Sequence, residues 1–114
     1  MKINSYSFGS IIIDGQKYEK DIIIDQRKIK KRKKKASKQF RSNFDHTPLS
    51  IWENIPWNCK TLIIGTGNNG ALPVMEEVRE KARKKGIKLV LMTTPEALKH
   101  INDADTNLIL HLTC

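Results

Sequence analysis

Residues 61–92, TLIIGTGNNGALPVMEEVREKARKKGIKLVLM, decide the fold. Leu62-Ile63-Ile64 reads as a buried strand and Gly65 to Gly70 as a glycine turn. From Pro73 to Lys85 the spacing predicts a helix, with Val74, Val78 and Ala82 four apart on one face. Glu76, Glu77 and Glu80 stand early in it, Lys81, Arg83, Lys84 and Lys85 late, and Gly86 follows as a C-terminal cap. Charge order and cap both suit the helix dipole. Ile87 to Met92 is a second strand.

Working outward toward the C-terminus, Thr94-Pro95 starts a short helix carrying Ala97, Leu98 and Ile101, and Leu108 to Leu112 is a last strand. That strand is apolar on both faces, as interior strands of parallel sheets are. Residues 61–114 thus form a β-α-β-α-β unit, whose right-handed crossovers would make its three strands parallel.

Toward the N-terminus, Ser10 to Ile13 is a β-branched strand, and Asp14-Gly15 is a strong hairpin signal because both residues tolerate positive φ. The returning strand is expected over Tyr18 to Ile24. Thr47-Pro48 reads as a helix start, with Leu49, Trp52 and Ile55 as its apolar face and Pro56 as its stop. Trp52 and Trp57 are expected in the core or on its rim. The predicted fold class is α/β: one compact domain over residues 1–114, a mixed sheet in which an N-terminal antiparallel hairpin precedes the β-α-β-α-β unit.

The composition excludes several classes. In 114 residues, 39% of them hydrophobic, a single core is expected. No apolar run approaches the roughly 18–20 residues of a membrane span, so no membrane partner is expected. Met1-Lys2-Ile3-Asn4-Ser5 lacks the apolar core of a secretory signal. Cys59 and Cys114 form no disulfide framework and suit a reducing, cytoplasmic setting.

The formal charge is +9, from 21 Lys+Arg against 12 Asp+Glu, and its placement says more than its size. Ten basic residues lie between Arg27 and Arg41 with no acid among them, which leaves 11 basic and 12 acidic groups elsewhere. The excess therefore belongs to one segment. Lys28, Lys30, Lys31, Arg32, Lys33, Lys34, Lys35, Lys38 and Arg41 are its candidate polyanion contacts, for nucleic acid among others. The competing readings are a lysine-guarded sheet edge, a helix over Lys30 to Gln39, or a solvated arm. Lysines outnumber arginines, which suits point-charge attraction rather than base readout. Phe40 and Phe44 flank the run instead of interleaving with it, so no stacking platform is evident.

Gly65-Thr66-Gly67-Asn68-Asn69-Gly70 is a literal G-x-G-x-x-G between strand and helix. The dinucleotide reading fails its next test, because Thr93 and Thr94 stand where an acid should hold the ribose. A small-anion or partner-segment pocket stays open, built from Gly65, Thr66, Gly67, Asn68, Asn69, Gly70, Thr93, Thr94 and His111 at the carboxyl ends of the strands. Beside it stands the plainer reading that the glycines only let strand and helix meet. His111 is read as a general base or anion donor, or as a hydrogen-bonded structural histidine. His46 beside Asp45 is placed to cap or pair. The histidines and cysteines show no metal-ligand spacing, no cofactor is called for, and no catalytic set stands out.

Several segments resemble the Mth-nine-three-eight-like domains. They are Phe8-Gly9 with Ile11 to Gly15, Tyr18 and Asp21-Ile22; Ile63 to Gly67 with Gly70-Ala71-Leu72; Thr94 with Glu96-Ala97; and the terminal His111-Leu112-Thr113-Cys114. The basic run with Ser37 and His46 is similar to that of microbial members. The resemblance implies one α/β domain with a mixed sheet and no established function. It also implies kinship with animal proteins linked to mitochondrial complex I assembly and adipocyte differentiation, which are partner-binding roles. A non-enzymatic binding or assembly module, taking an unknown protein partner or a small anion, is the resulting expectation, with an enzyme of unknown reaction using the same pocket as an alternative.

Overall fold

The computed structural model describes residues 1–44 and 46–114; the pairing of His46 with Asp45 lies outside them. A five-stranded mixed sheet runs through the middle of the molecule. Its strands are β4 (Ile22–Asp25), β5 (Lys28–Lys31), β6 (Thr61–Gly65), β7 (Lys88–Met92) and β8 (Thr106–Leu110), in the order β5-β4-β8-β6-β7. β6 pairs in parallel with both β7 and β8, as the β-α-β-α-β pattern predicts, and β4 runs antiparallel to β8 and β5. A separate antiparallel sheet of β1 (Ile3–Ser7), β2 (Ser10–Ile13) and β3 (Gln16–Tyr18) covers one face.

Alternation along the central strands explains why they are apolar on both sides. Ile22, Ile24, Ile63, Leu108 and Leu110 face the small sheet, where they meet Ile11, Ile13 and Ala97. Ile23, Leu62, Ile64 and Ile109 face the other way, onto Leu49, Ile55, Leu72 and Val78. The helices are α1 (Arg41–Phe44), α2 (Glu76–Lys84) and α3 (Thr94–Ala97), with 3-10 turns over Lys34–Phe40 and Leu98–His100. Among the described residues, no helix is long and apolar enough to cross a membrane.

Four local expectations are corrected. The Asp14-Gly15 hairpin is present, with φ of 50° and 81°, but its returning strand stops at Tyr18. Ile22 to Asp25 instead enters the central sheet, because Asp21 is captured there by His111, Leu112 and Arg32. No helix forms after Thr47-Pro48. Leu49 uses its backbone N–H and C=O on Pro73 and Met75, and Ser50 Oγ accepts the Trp52 N–H. The same bridge delays α2 to Glu76, leaving Val74 outside the helix. Trp52 is 66% exposed and is not a core residue, whereas Trp57 is half-buried, with the Lys81 ammonium 5.8 Å from its ring centroid.

The basic segment divides into two structures instead of choosing between strand and helix. Lys28–Lys31 is the edge strand β5, and Lys34–Phe40 is a 3-10 helix. Lysine on an edge strand discourages pairing with other chains.

Candidate functional site

The glycine turn, the threonine pair and the chain's tail do meet. Thr94 joins them: its Oγ1 accepts the Gly67 N–H at 2.9 Å and donates to the His111 carbonyl. Gly67, at φ +106°, must be glycine, since a Cβ there would lie 2.3 Å from the Cys114 carbonyl carbon and 2.9 Å from His111 Cδ2. Gly65 permits close packing in the same way, its virtual Cβ lying 3.0 Å from Thr94 Oγ1 and Leu110 Cδ2.

That closeness turns the backbone donors of the turn onto the chain itself. Asn68 N–H donates to the Thr113 carbonyl, while Asn69 and Ala71 N–H both donate to the Cys114 carbonyl. Gly70 N–H bonds Gly67, Thr66 N–H bonds Met92, and Thr66 Oγ1 also donates to Met92. The backbone N–H groups from Thr66 to Ala71 are thus engaged by the chain itself, and the turn serves as a socket for residues 113–114. Of the candidate pocket residues, Thr93 is half-buried beside it, and the exposed Asn68 and Asn69 bond the tail through their backbone and each other through their side chains.

The open surface lies on the other side of the tail. Lys34, Lys38, Arg41, His46, Thr47, Leu72, His111, Thr113 and Cys114 line a cavity of about 270 Å³. A second cavity, of about 630 Å³, continues from it past Lys20, Lys31, Lys33 and Lys35. Arg32, Lys34, Lys38 and Thr113 line both, so the two form one basic trough. Lys28 and Lys30 line neither part, and Lys30 is paired with Asp25 at 3.1 Å.

Arg32 is corrected from surface contact to foundation. It is 3% exposed. Its Nε and Nη2 donate to the two Glu53 carboxylate oxygens at 2.8 and 2.9 Å, and its Nη1 donates to Asp21 Oδ2 at 2.8 Å. A planar guanidinium suits such bidentate pairing, and burial is tolerable only because every donor finds a partner. Burial alone would lower the Arg32 pKa, but Glu53 and Asp21 outweigh it and raise the value. The 3-10 helix hangs on the same cluster: Ser37, its only buried residue, bonds Glu53 and Ser50.

Asp21 takes three donors: Arg32, the Leu112 N–H at 2.9 Å and His111 Nδ1 at 2.7 Å. Burial would raise its pKa, yet the His111 contact, the Leu112 N–H and Arg32 together bring it from 3.8 down to about 2. A depressed carboxylate contributes stability that is complete above the unfolded value and lost as pH falls through the folded one. Between pH 3.8 and about 2, the protein should therefore lose about 2 kcal/mol of unfolding free energy through this group. Urea midpoints taken across that range should fall in wild type and stay flatter in Asp21→Asn.

His111 is hydrogen-bonded on both ring nitrogens, with Thr113 Oγ1 3.2 Å from Nε2. Ser50 and Glu53 escaped the sequence reading, and Asp21, Ser37 and Thr113 entered it with no role of their own. Their available signal was polarity inside apolar surroundings: Asp21 directly before three isoleucines, and Glu53 between Leu49 and Ile55. Both cysteines are free. Among the described residues, no group of three or more His, Cys, Asp or Glu side chains has metal-holding geometry.

Solved structures share this architecture. The chain is similar to a conserved hypothetical protein, PH1505, from Pyrococcus horikoshii OT3, with 25% identity, 100% of each chain covered and a TM-score of 0.81. MT938 shares 21% of residues over 98% of this chain and 97% of its own, at a TM-score of 0.72, in line with the Mth-nine-three-eight-like resemblance. An outer membrane protein from Bartonella henselae shares 19% over 98% and 94%, at 0.66. No curated protein matches the sequence. The model of one family, described as "Protein of unknown function (DUF498/DUF598)", matches residues 3–105, and the chain belongs to that family.

Proposed function

We propose that residues 1–114 act as one binding domain for phosphate-bearing polyanions, which lie along the trough between the 3-10 helix and the tail. The carrying observation is the convergence of Lys20, Lys31, Lys33, Lys34, Lys35, Lys38 and Arg41 on that trough, against two carboxylates, Glu19 and an Asp21 already engaged by Arg32 and His111. Lys20 beside Lys31 lowers the Lys31 pKa, a like-charge contact that a bound phosphate would relieve. Phe40 and Phe44 are half-buried, and lysines predominate, so contact is with phosphates and independent of base sequence. The glycine turn supports the trough wall and holds no ligand in this reading. The two free thiols suit a cytoplasmic setting.

A salt titration against single-stranded RNA and duplex DNA tests the proposal. Affinity should fall steeply with salt, each neutralised phosphate adding about 0.7–0.9 to the log–log slope. Changing Lys34, Lys35 and Lys38 together to Gln should lower that slope by about 2–3. Absence of binding at low salt, or an unchanged slope in the triple variant, overturns it.

A further inference from the structure

A chain of three groups in the trough floor has a chemistry that polyanion binding does not use. Asp21 accepts from His111 Nδ1 at 2.7 Å, and His111 Nε2 faces Thr113 Oγ1 at 3.2 Å. An ionised carboxylate can only accept, so Nδ1 carries a proton, and in the neutral imidazole Nε2 then presents its lone pair to the threonine hydroxyl. Carboxylate, imidazole and hydroxyl in that order are the arrangement that activates an alcohol as a nucleophile. Thr113 lines both cavities, and Lys34, Lys38 and Arg41 share the smaller one with it.

We propose that Thr113 is an acyl-accepting nucleophile, with His111 as its general base and Asp21 positioning the imidazole, and that its donors are small anionic acyl compounds such as acyl phosphates. Thr113 Oγ attacks the carbonyl carbon while its proton passes to His111 Nε2. The charge developing on the carbonyl oxygen is stabilised by the neighbouring cations. Collapse breaks the bond to the leaving phosphate, which departs with the proton from His111. Water, deprotonated by the same nitrogen, then cleaves the acyl-threonine, releases the carboxylic acid and restores the hydroxyl; nothing is oxidised or reduced. The relay stands on its own contacts, so failure of the chain to bind RNA leaves it intact.

The full chain is incubated with acetyl phosphate, and separately with 4-nitrophenyl acetate as a neutral donor. Fragmentation mass spectrometry then locates the acetyl group. The expected result is acetyl on Thr113, formed faster from the anionic donor. Thr113→Ala should abolish that adduct and slow acetyl phosphate hydrolysis by about 100-fold or more, whereas Thr113→Ser should retain hydrolysis within about tenfold. Asp21→Asn should slow acetylation, and Asp21→Glu should restore part of it. Thr113→Ala leaves the Asp21–Arg32–Glu53 cluster intact, so its result is readable even where Asp21 or His111 variants fold poorly. Acetyl confined to lysines or Cys114, or wild-type hydrolysis in Thr113→Ala, overturns the proposal.

Discussion

Replacing Gly67 by alanine is expected to destabilise the fold by about 4 kcal/mol, more than any other single glycine change in the chain. Two independent effects combine. A side chain at φ +106° sits where L-residues are strained, which costs about 1–3 kcal/mol. Its methyl would also overlap the Cys114 carbonyl carbon at 2.3 Å and oxygen at 2.7 Å, and such overpacking adds about 1–3 kcal/mol. The clash is with backbone, which cannot rotate away as a long side chain can. Relief requires expelling the tail, and with it the bonds that Asn68, Asn69 and Ala71 make to residues 113–114. Gly86→Ala separates the two effects, since φ there is +69° with nothing within 4 Å; it should cost about 1 kcal/mol. Urea midpoints with an unchanged slope read both differences. Equal losses in the two variants would show that the tail does not fill the turn.

The second large effect is expected at Arg32. Arg32→Met removes the shared partner of Asp21 and Glu53, whose side chains are 10% and 2% exposed. Breaking one member of a buried ionic cluster costs about 3–5 kcal/mol, here because Glu53 is left buried with no cation and Asp21 keeps only His111 and the Leu112 N–H. The loss should reach the 3-10 helix through Ser37, which bonds the same Glu53 carboxylate. Trypsin should therefore cut between Lys33 and Lys38 much sooner in the variant than in wild type. Adding Glu53→Leu to Arg32→Met should recover part of the stability, since it removes one orphaned charge and leaves Ser37 and Ser50 bonded to each other. A double variant weaker than the single one would mean that Glu53 contributes through contacts other than Arg32.

The legible parts of this fold are those governed by local pattern. Leu62-Ile63-Ile64, the glycine turn, the charge-ordered helix and the Asp14-Gly15 hairpin each carry their instructions within a few residues, and each appears. What stayed hidden depends on partners distant in sequence. Tyr18 to Ile24 looks like one strand until Asp21 is seen to bond Leu112, 91 residues away. Thr47-Pro48 carries a good helix-start signature, but Leu49 is held by the backbone on either side of Val74. Arg32 is one of ten cations in its run and nothing local distinguishes it from its neighbours; only the fold supplies Glu53. The candidate site divides along the same line. Strand ends and a glycine turn were readable as a meeting place, whereas the occupation of that place by the chain's own tail was not.

The basic trough rests on a foundation made of different residues from those it displays. Arg32, Ser37, Glu53 and Asp21 hold the segment in place from beneath, while Lys34, Lys35 and Lys38 stand outside with no ion-pair partner among the described residues. Exposed positions of that kind tolerate replacement within about half a kcal/mol. Descendants of this chain are therefore free to redraw their outward charges, and with them their choice of associate, without renegotiating how the molecule folds.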